Sequence, residues 1–189
     1  MLIVLVGPSG SGKTSIWEGL IREHGCRPFQ TVTTRPQREE EEQKEMLQYQ
    51  FLSKESFAEL ESQDAFLEHI TYVGNRYGTL KRDVERAVTS SEVYVGIVEQ
   101  EGSDRLKLFH SEVCSIFIRP SDQSVLQQRL KERDSETMDT FLSRLSLIET
   151  EMLSEAANDF TVVNDVLEES IEQAGRIVTD ILHVRTLND

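Results

Sequence analysis

The stretch Leu2-Ile3-Val4-Leu5-Val6-Gly7-Pro8-Ser9-Gly10-Ser11-Gly12-Lys13-Thr14 joins an unbroken apolar run to a glycine-rich turn. An apolar run this short, stopped by Gly7-Pro8, predicts a parallel strand buried on both faces. Downstream, Ile16, Trp17, Leu20 and Ile21 recur at helical spacing, predicting a helix from near Lys13 to just before Gly25. Between the two, residues 7–14 match G-x-x-x-x-G-K-[ST] in the strand–turn–helix setting that gives this pattern its meaning. Gly7, Gly10 and Gly12, with Ser9 and Ser11 between them, let the backbone curl with its N–H groups inward. The helix start adds the positive end of its dipole. Lys13 supplies a point charge to the outer phosphates of a nucleoside triphosphate, and the Thr14 hydroxyl is placed to coordinate Mg²⁺. The motif specifies a triphosphate and leaves the second substrate open.

Working outward, Val93–Val98, Val113–Ile118 and Phe160–Val163 read as further buried strands. Helical patterns separate them over Leu80–Thr89, Asp104–His110, Ser121–Arg133 and Glu136–Ala157, and a last helix covers about Leu167–His183. Alternation of this kind predicts an α/β fold, a three-layer arrangement around a parallel central sheet whose ligands bind beyond the strands' carboxyl ends. Between Thr31 and Gly78 the pattern changes to short mixed strands with one helix, Lys54–Ser62, which reads as an inserted subdomain. The acidic run Glu39–Glu42 within it reads as a solvated loop. The expectation is one domain over 1–189, with 1–30 and 80–189 as the core and 31–79 as the insert.

The chain has 189 residues and a net charge of -14, which disfavours a broad nucleic-acid or anionic-membrane surface because phosphate backbones repel such a field. Cys26 and Cys114 fit no metal or redox spacing and read as two reduced thiols, and His24, His69, His110 and His183 form no cluster. No apolar run reaches the length of a membrane span, and none reads as a signal peptide. The expected setting is soluble and cytoplasmic.

Further motifs narrow the second substrate. Thr31-Val32-Thr33-Thr34-Arg35-Pro36-Gln37-Arg38 is followed by Tyr49-Gln50-Phe51-Leu52, then Phe66-Leu67-Glu68-His69, then Gly74-Asn75-Arg76-Tyr77-Gly78-Thr79. In order and spacing these resemble the guanylate kinase family, with its segments S-x-T-T-R-x-P-R-x-G-E, Y-x-F-V, F-[LI]-E and G-N-x-Y-G-[ST]. The resemblance extends through Arg129, Arg133, Arg144 and Val162-Val163-Asn164-Asp165. It implies that Glu68 accepts from the N–H donors of guanine, with Thr31 and Thr79 as hydroxyls beside it. It also implies that Arg35, Arg38, Tyr49 and Tyr77 hold the acceptor's phosphate, a role that suits guanidinium forks and phenols. Arg129, Arg133 and Arg144 then belong to or border a helical lid, about 133–157, that closes over the moving phosphoryl group. Arg133 and Arg144 join Lys13 in catalysis, while Arg129 and Asn164 lie on the ATP side, the latter near adenine. Taken singly, each has a plainer reading: Glu68 an exposed strand carboxylate, the arginines solvated charges, Asn164 a strand-ending turn residue.

The chain departs from the resemblance after Val93–Val98. Where the family reads I-L-D-[IV]-D-x-Q-G, this chain has Val95-Gly96-Ile97-Val98-Glu99-Gln100-Glu101-Gly102. Ile97 replaces the first acid and Glu99 the second, leaving Glu99 as the acceptor-side carboxylate. The acceptor loop also changes, with Gln37, Glu39 and Glu40 at positions usually Pro, variable and Gly, and the stretch before Tyr49 is longer. The expected activity is Mg²⁺-dependent phosphorylation of GMP and dGMP by ATP. The alternatives are a monophosphate kinase with another acceptor, or a non-catalytic binding module of the same fold.

Overall fold

Every side chain of β1 (Leu2–Val6) is buried, as its uniform apolar run requires. The computed structural model describes residues 1–72, 74–126, 128, 148 and 150–188. The helix expected over Ser121–Arg133 is described through Leu126 and at Gln128, while that over Glu136–Ala157 and the expected lid fall mostly outside these; the described end of the second, Ser154–Ala157, is a 3₁₀ turn. The chain divides into two compact units. One contains Met1–Val4 with Cys26–Cys114, the other Leu5–Gly25 with Ser115–Asp189. The main sheet has the hydrogen-bonded order β2-β7-β1-β8-β9, with β2 Arg27–Pro28, β7 Tyr94–Ile97, β8 Val113–Arg119 and β9 Phe160–Val163. β2 runs parallel to β7, and β8 runs parallel to β9.

In the first unit a second, four-stranded sheet has the order β4-β3-β6-β5: Tyr49–Phe51, Thr31–Thr33, Asn75–Leu80 and Phe66–Tyr72. Helix α3 (Lys54–Ser62) packs on it. Its N-cap Ser53 accepts from the Ser56 N–H, and its one fully buried side chain, Phe57, stacks on Phe66 at 4.4 Å between ring centroids. Val32, Phe57, Phe66 and Leu80 make that sheet's core. Here too lie α2 (Glu39–Glu42), α4 (Lys81–Thr89) and α5 (Gln100–Phe109). The structure corrects two expectations in this unit. The acidic run is a helical turn with Glu41 drawn into an ion pair, and α5 begins at Gln100 rather than Asp104.

In the second unit α1 (Lys13–His24) buries Ile16, Trp17 and Leu20 and ends at Gly25, whose N–H bonds back to the Leu20 carbonyl. It packs against α6 (Leu167–Asn188), which runs beyond the expected His183. Among the described residues no helix is long and apolar enough to cross a membrane.

Candidate functional site

The phosphate loop of the second unit is over-determined by backbone strain and by space. Gly7 has φ +135°, and a Cβ there would lie 2.2 Å from the Ile118 carbonyl oxygen. Gly12 has φ +94°, and a Cβ there would lie 2.1 Å from Asn164 Nδ2. Both positions are therefore closed to other residues twice over. Lys13 spans the loop, its Nζ donating to the carbonyls of Gly7 at 2.6 Å and Pro8 at 2.9 Å. The Ser11 N–H closes a turn onto the Pro8 carbonyl at 3.1 Å. Thr14 is exposed in the first turn of α1.

Asn164 is buried just beyond β9. Its own N–H donates to the Arg119 carbonyl at 2.7 Å, and its side-chain amide donates to the Ser11 carbonyl at 2.8 Å. The residue thus ties the end of the last strand to the loop backbone. The Ser9 N–H makes a long contact, 3.4 Å, to Glu151 Oε2.

Ser11 carries a fully buried hydroxyl with no hydrogen-bond partner among the described residues. A buried unsatisfied hydroxyl costs on the order of 1–3 kcal/mol. Ser11→Ala is therefore expected to raise stability by about 1 kcal/mol, read as a higher urea midpoint at unchanged m-value.

The acceptor residues of the first unit are set by strand register. Glu68 on β5 lies opposite Thr79 on β6, so both side chains emerge on one face. The Thr79 hydroxyl donates to Glu68 Oε1 at 2.6 Å, leaving its oxygen lone pairs as acceptors. Burial raises the Glu68 pKa above the usual carboxylate range; the Thr79 hydrogen bond and nearby Arg105 offset this in part, and Glu101 adds to it. Glu101 and Arg105 form an i,i+4 ion pair on α5 at 2.9 Å. A Cβ at Gly102, in the same first turn, would lie 3.6 Å from Glu68 Oε1, an ordinary van der Waals contact. Thr31 is buried on β3, in register with Tyr49 of β4.

Tyr49 and Tyr77 meet edge to face at 5.8 Å, and the Arg35 guanidinium lies 5.5 Å from the Tyr49 ring centre and 5.3 Å from that of Phe51. Burial, then the neighbouring Tyr77 and Glu99, push the Tyr49 phenol well above its ordinary pKa. It therefore stays a hydrogen-bond donor at neutral pH. Arg35, Tyr49 and Tyr77 converge, as the resemblance implied, and Glu41 joins them as a residue the sequence reading missed. Its signal was the Arg38-x-x-Glu41 spacing of a reversed cap: the Arg38 N–H donates to Glu41 Oε2 at 2.8 Å. The Arg38 side chain is exposed, as is Glu99, the N-cap of α5. Ile97 is buried apolar core, so the first acidic position of the family's segment has become a packing position. Arg129, Arg133 and Arg144 lie outside the described residues.

The family model described as guanylate kinase matches residues 1–181. The guanylate kinase of Anaeromyxobacter dehalogenans is 33% identical over 181 residues, covering 94% of this chain and 79% of its own. That of Chlorobaculum tepidum is 31% identical, covering 96% and 93%. Among solved structures, guanylate kinase from Anaplasma phagocytophilum superposes with a TM-score of 0.71 at 25% identity, over 95% of this chain and 85% of its own.

Proposed function

The chain belongs to the guanylate kinase family, and from that premise we propose that it transfers the γ-phosphoryl group of ATP to GMP, and to dGMP, giving ADP and GDP or dGDP. The observation that carries the acceptor half is the part-buried Glu68–Thr79 pair. Guanine offers two donors on one edge, N1–H and the N2 amino group, and an ionised Glu68 accepts both. Adenine has a lone pair at N1, so it would leave this carboxylate facing an acceptor. With its proton committed to Glu68, Thr79 contributes lone pairs, and Thr31 is left as the hydroxyl for O6. Arg35, Arg38, Tyr49 and Tyr77 bind the acceptor phosphate, and Glu99 borders them.

On the donor side, Gly7, Ser9, Gly10, Ser11 and Gly12 form the cradle for the ATP phosphates, and Lys13 neutralises their charge. Glycine at 7 and 12 lets the loop backbone pack against the Ile118 carbonyl and the Asn164 amide, which a Cβ would strike. Thr14 offers a hydroxyl oxygen, a donor suited to Mg²⁺, whose other ligands are characteristically phosphate oxygens and water. When bound, Mg²⁺ supplies charge neutralisation between the phosphates. Arg129, Arg133 and Arg144 complete the positive surround in this reading. Transfer needs no protein nucleophile; it needs alignment and charge. A cytoplasmic location goes with this reading, and the thiols Cys26 and Cys114 suit a reducing compartment.

A coupled ADP-release assay with ATP and Mg²⁺ across GMP, dGMP, AMP, CMP and UMP tests the proposal. Turnover with GMP and dGMP far above the rest is expected. Preference for another monophosphate would overturn the guanine assignment, and no turnover with any would leave a binding module.

We assign Asn164 to the ATP side through the loop backbone it holds rather than through a base contact. Asn164→Ala is expected to raise the ATP KM about tenfold, the loss of one buried hydrogen bond, at little change in the GMP KM. An unchanged ATP KM would remove that role.

A further inference from the structure

The Arg35 guanidinium makes three hydrogen bonds in the acceptor site, two of them to Glu41. A guanidinium carries five N–H donors in a rigid plane. Arg35 Nη1 spends both of its own, donating to the Pro36 carbonyl at 2.8 Å and to Glu41 Oε2 at 2.9 Å. Nη2 donates once, to Glu41 Oε1 at 2.7 Å. The carboxylate therefore takes the end of the fork. Two donors remain, Nε–H and the second Nη2 hydrogen, and no described residue accepts from them. In a planar guanidinium these two point the same way from one side edge, spaced to meet two oxygens of a phosphate.

The pair is also sheltered and fixed. The Arg35 and Glu41 side chains are only 13% and 18% exposed, so solvent screens them little. Burial opposes ionisation of Glu41, but the hydrogen bonds from Arg35 and the Arg38 N–H outweigh it and hold its pKa below the usual range. The carboxylate is thus charged throughout the neutral range. The rings of Tyr49 and Phe51 flank the guanidinium.

We infer that Glu41 is a positioning residue for the acceptor's phosphate: by holding the end of the Arg35 fork, it reserves the side edge for bidentate contact with that phosphate. The inference rests on the acceptor being a nucleoside monophosphate bound at Arg35. It gives a carboxylate of the acidic run a task in binding an anion. Its charge balances the guanidinium, and its geometry leaves two parallel donors for the incoming phosphate.

The test compares Glu41→Gln and Glu41→Ala with the unmodified protein, using GMP kinetics and calorimetric binding of GMP and of guanosine. Glutamine keeps the shape of the side chain but one end of it now donates, so the fork loses half its anchor. The expected result is a GMP KM about tenfold higher for Gln and higher still for Ala. The guanosine Kd and ATP KM should stay within twofold, roughly the scatter of distant sites. In an Arg35→Lys background, Glu41→Gln should add little, because its effect runs through Arg35. Equal weakening of GMP and guanosine would mark general damage to the loop and overturn the inference. So would an unchanged GMP KM. A lower GMP KM would show Glu41 to be an anion that competes with the substrate. If no monophosphate is turned over by the unmodified protein, the proposed function falls, and the GMP–guanosine binding difference still decides the role of Glu41.

Discussion

Lys13→Ala is expected to abolish phosphoryl transfer, lowering kcat by a factor on the order of 10³ or more. Two losses combine. In the proposed function the ammonium is the point charge the loop brings to the outer phosphates, where charge shifts during transfer. It is also a brace, since Nζ bridges the carbonyls of Gly7 and Pro8. Alanine leaves both carbonyls without that donor and the loop without its cation. Lys13→Arg separates the contributions: it restores the charge but carries a wider, planar head that cannot reproduce a compact bridge. Activity should therefore recover only in part. Single-turnover kinetics with saturating ATP and GMP, beside thermal melts, make the measurement. Activity of the alanine variant within tenfold of the parent would remove Lys13 from the catalytic set.

How far the sequence could be read followed from how local the determinants were. The phosphate loop was legible because its constraints lie within residues 7–14 and the flanking apolar patterns, and the structure places them between β1 and α1 as expected. The Glu68–Thr79 pairing was legible only through resemblance, because β-register depends on partners distant in the chain. Two features rest on short-range contacts that no apolar pattern announces. Glu39–Glu42 carries four like charges, which argues against a helix, yet Arg35 and the Arg38 N–H draw Glu41 in and fix the turn. The start of α5 was displaced because Glu99-Gln100-Glu101-Gly102 has no apolar period and contains a glycine. Extended Glu99 nonetheless begins that helix by accepting from the Ser103 N–H at 3.0 Å.

Glu68→Ala is expected to raise the GMP KM on the order of 100-fold while the ATP KM stays unchanged, because two charge-assisted hydrogen bonds to guanine are lost together. The same carboxylate should give GMP binding a distinctive pH dependence. Only the ionised form accepts from both guanine donors, and burial raises its pKa. As pH falls from neutrality, Glu68 therefore takes up its proton earlier than an exposed glutamate does, and the GMP KM should climb in that interval while the ATP KM remains flat. Stability moves the opposite way. A raised folded-state pKa means that the native protein binds this proton more tightly than the unfolded chain does. The Glu68 contribution to stability is thus most favourable below the unfolded pKa and declines as pH rises through the folded one. Glu68→Gln removes the titration, so it should flatten the pH profile of the GMP KM and melt higher than the parent at pH 8. Weaker GMP binding with a gain in melting temperature is a combination that general damage to the fold does not produce. A Glu68→Gln protein that keeps the parent's pH profile would show that another group reads the base.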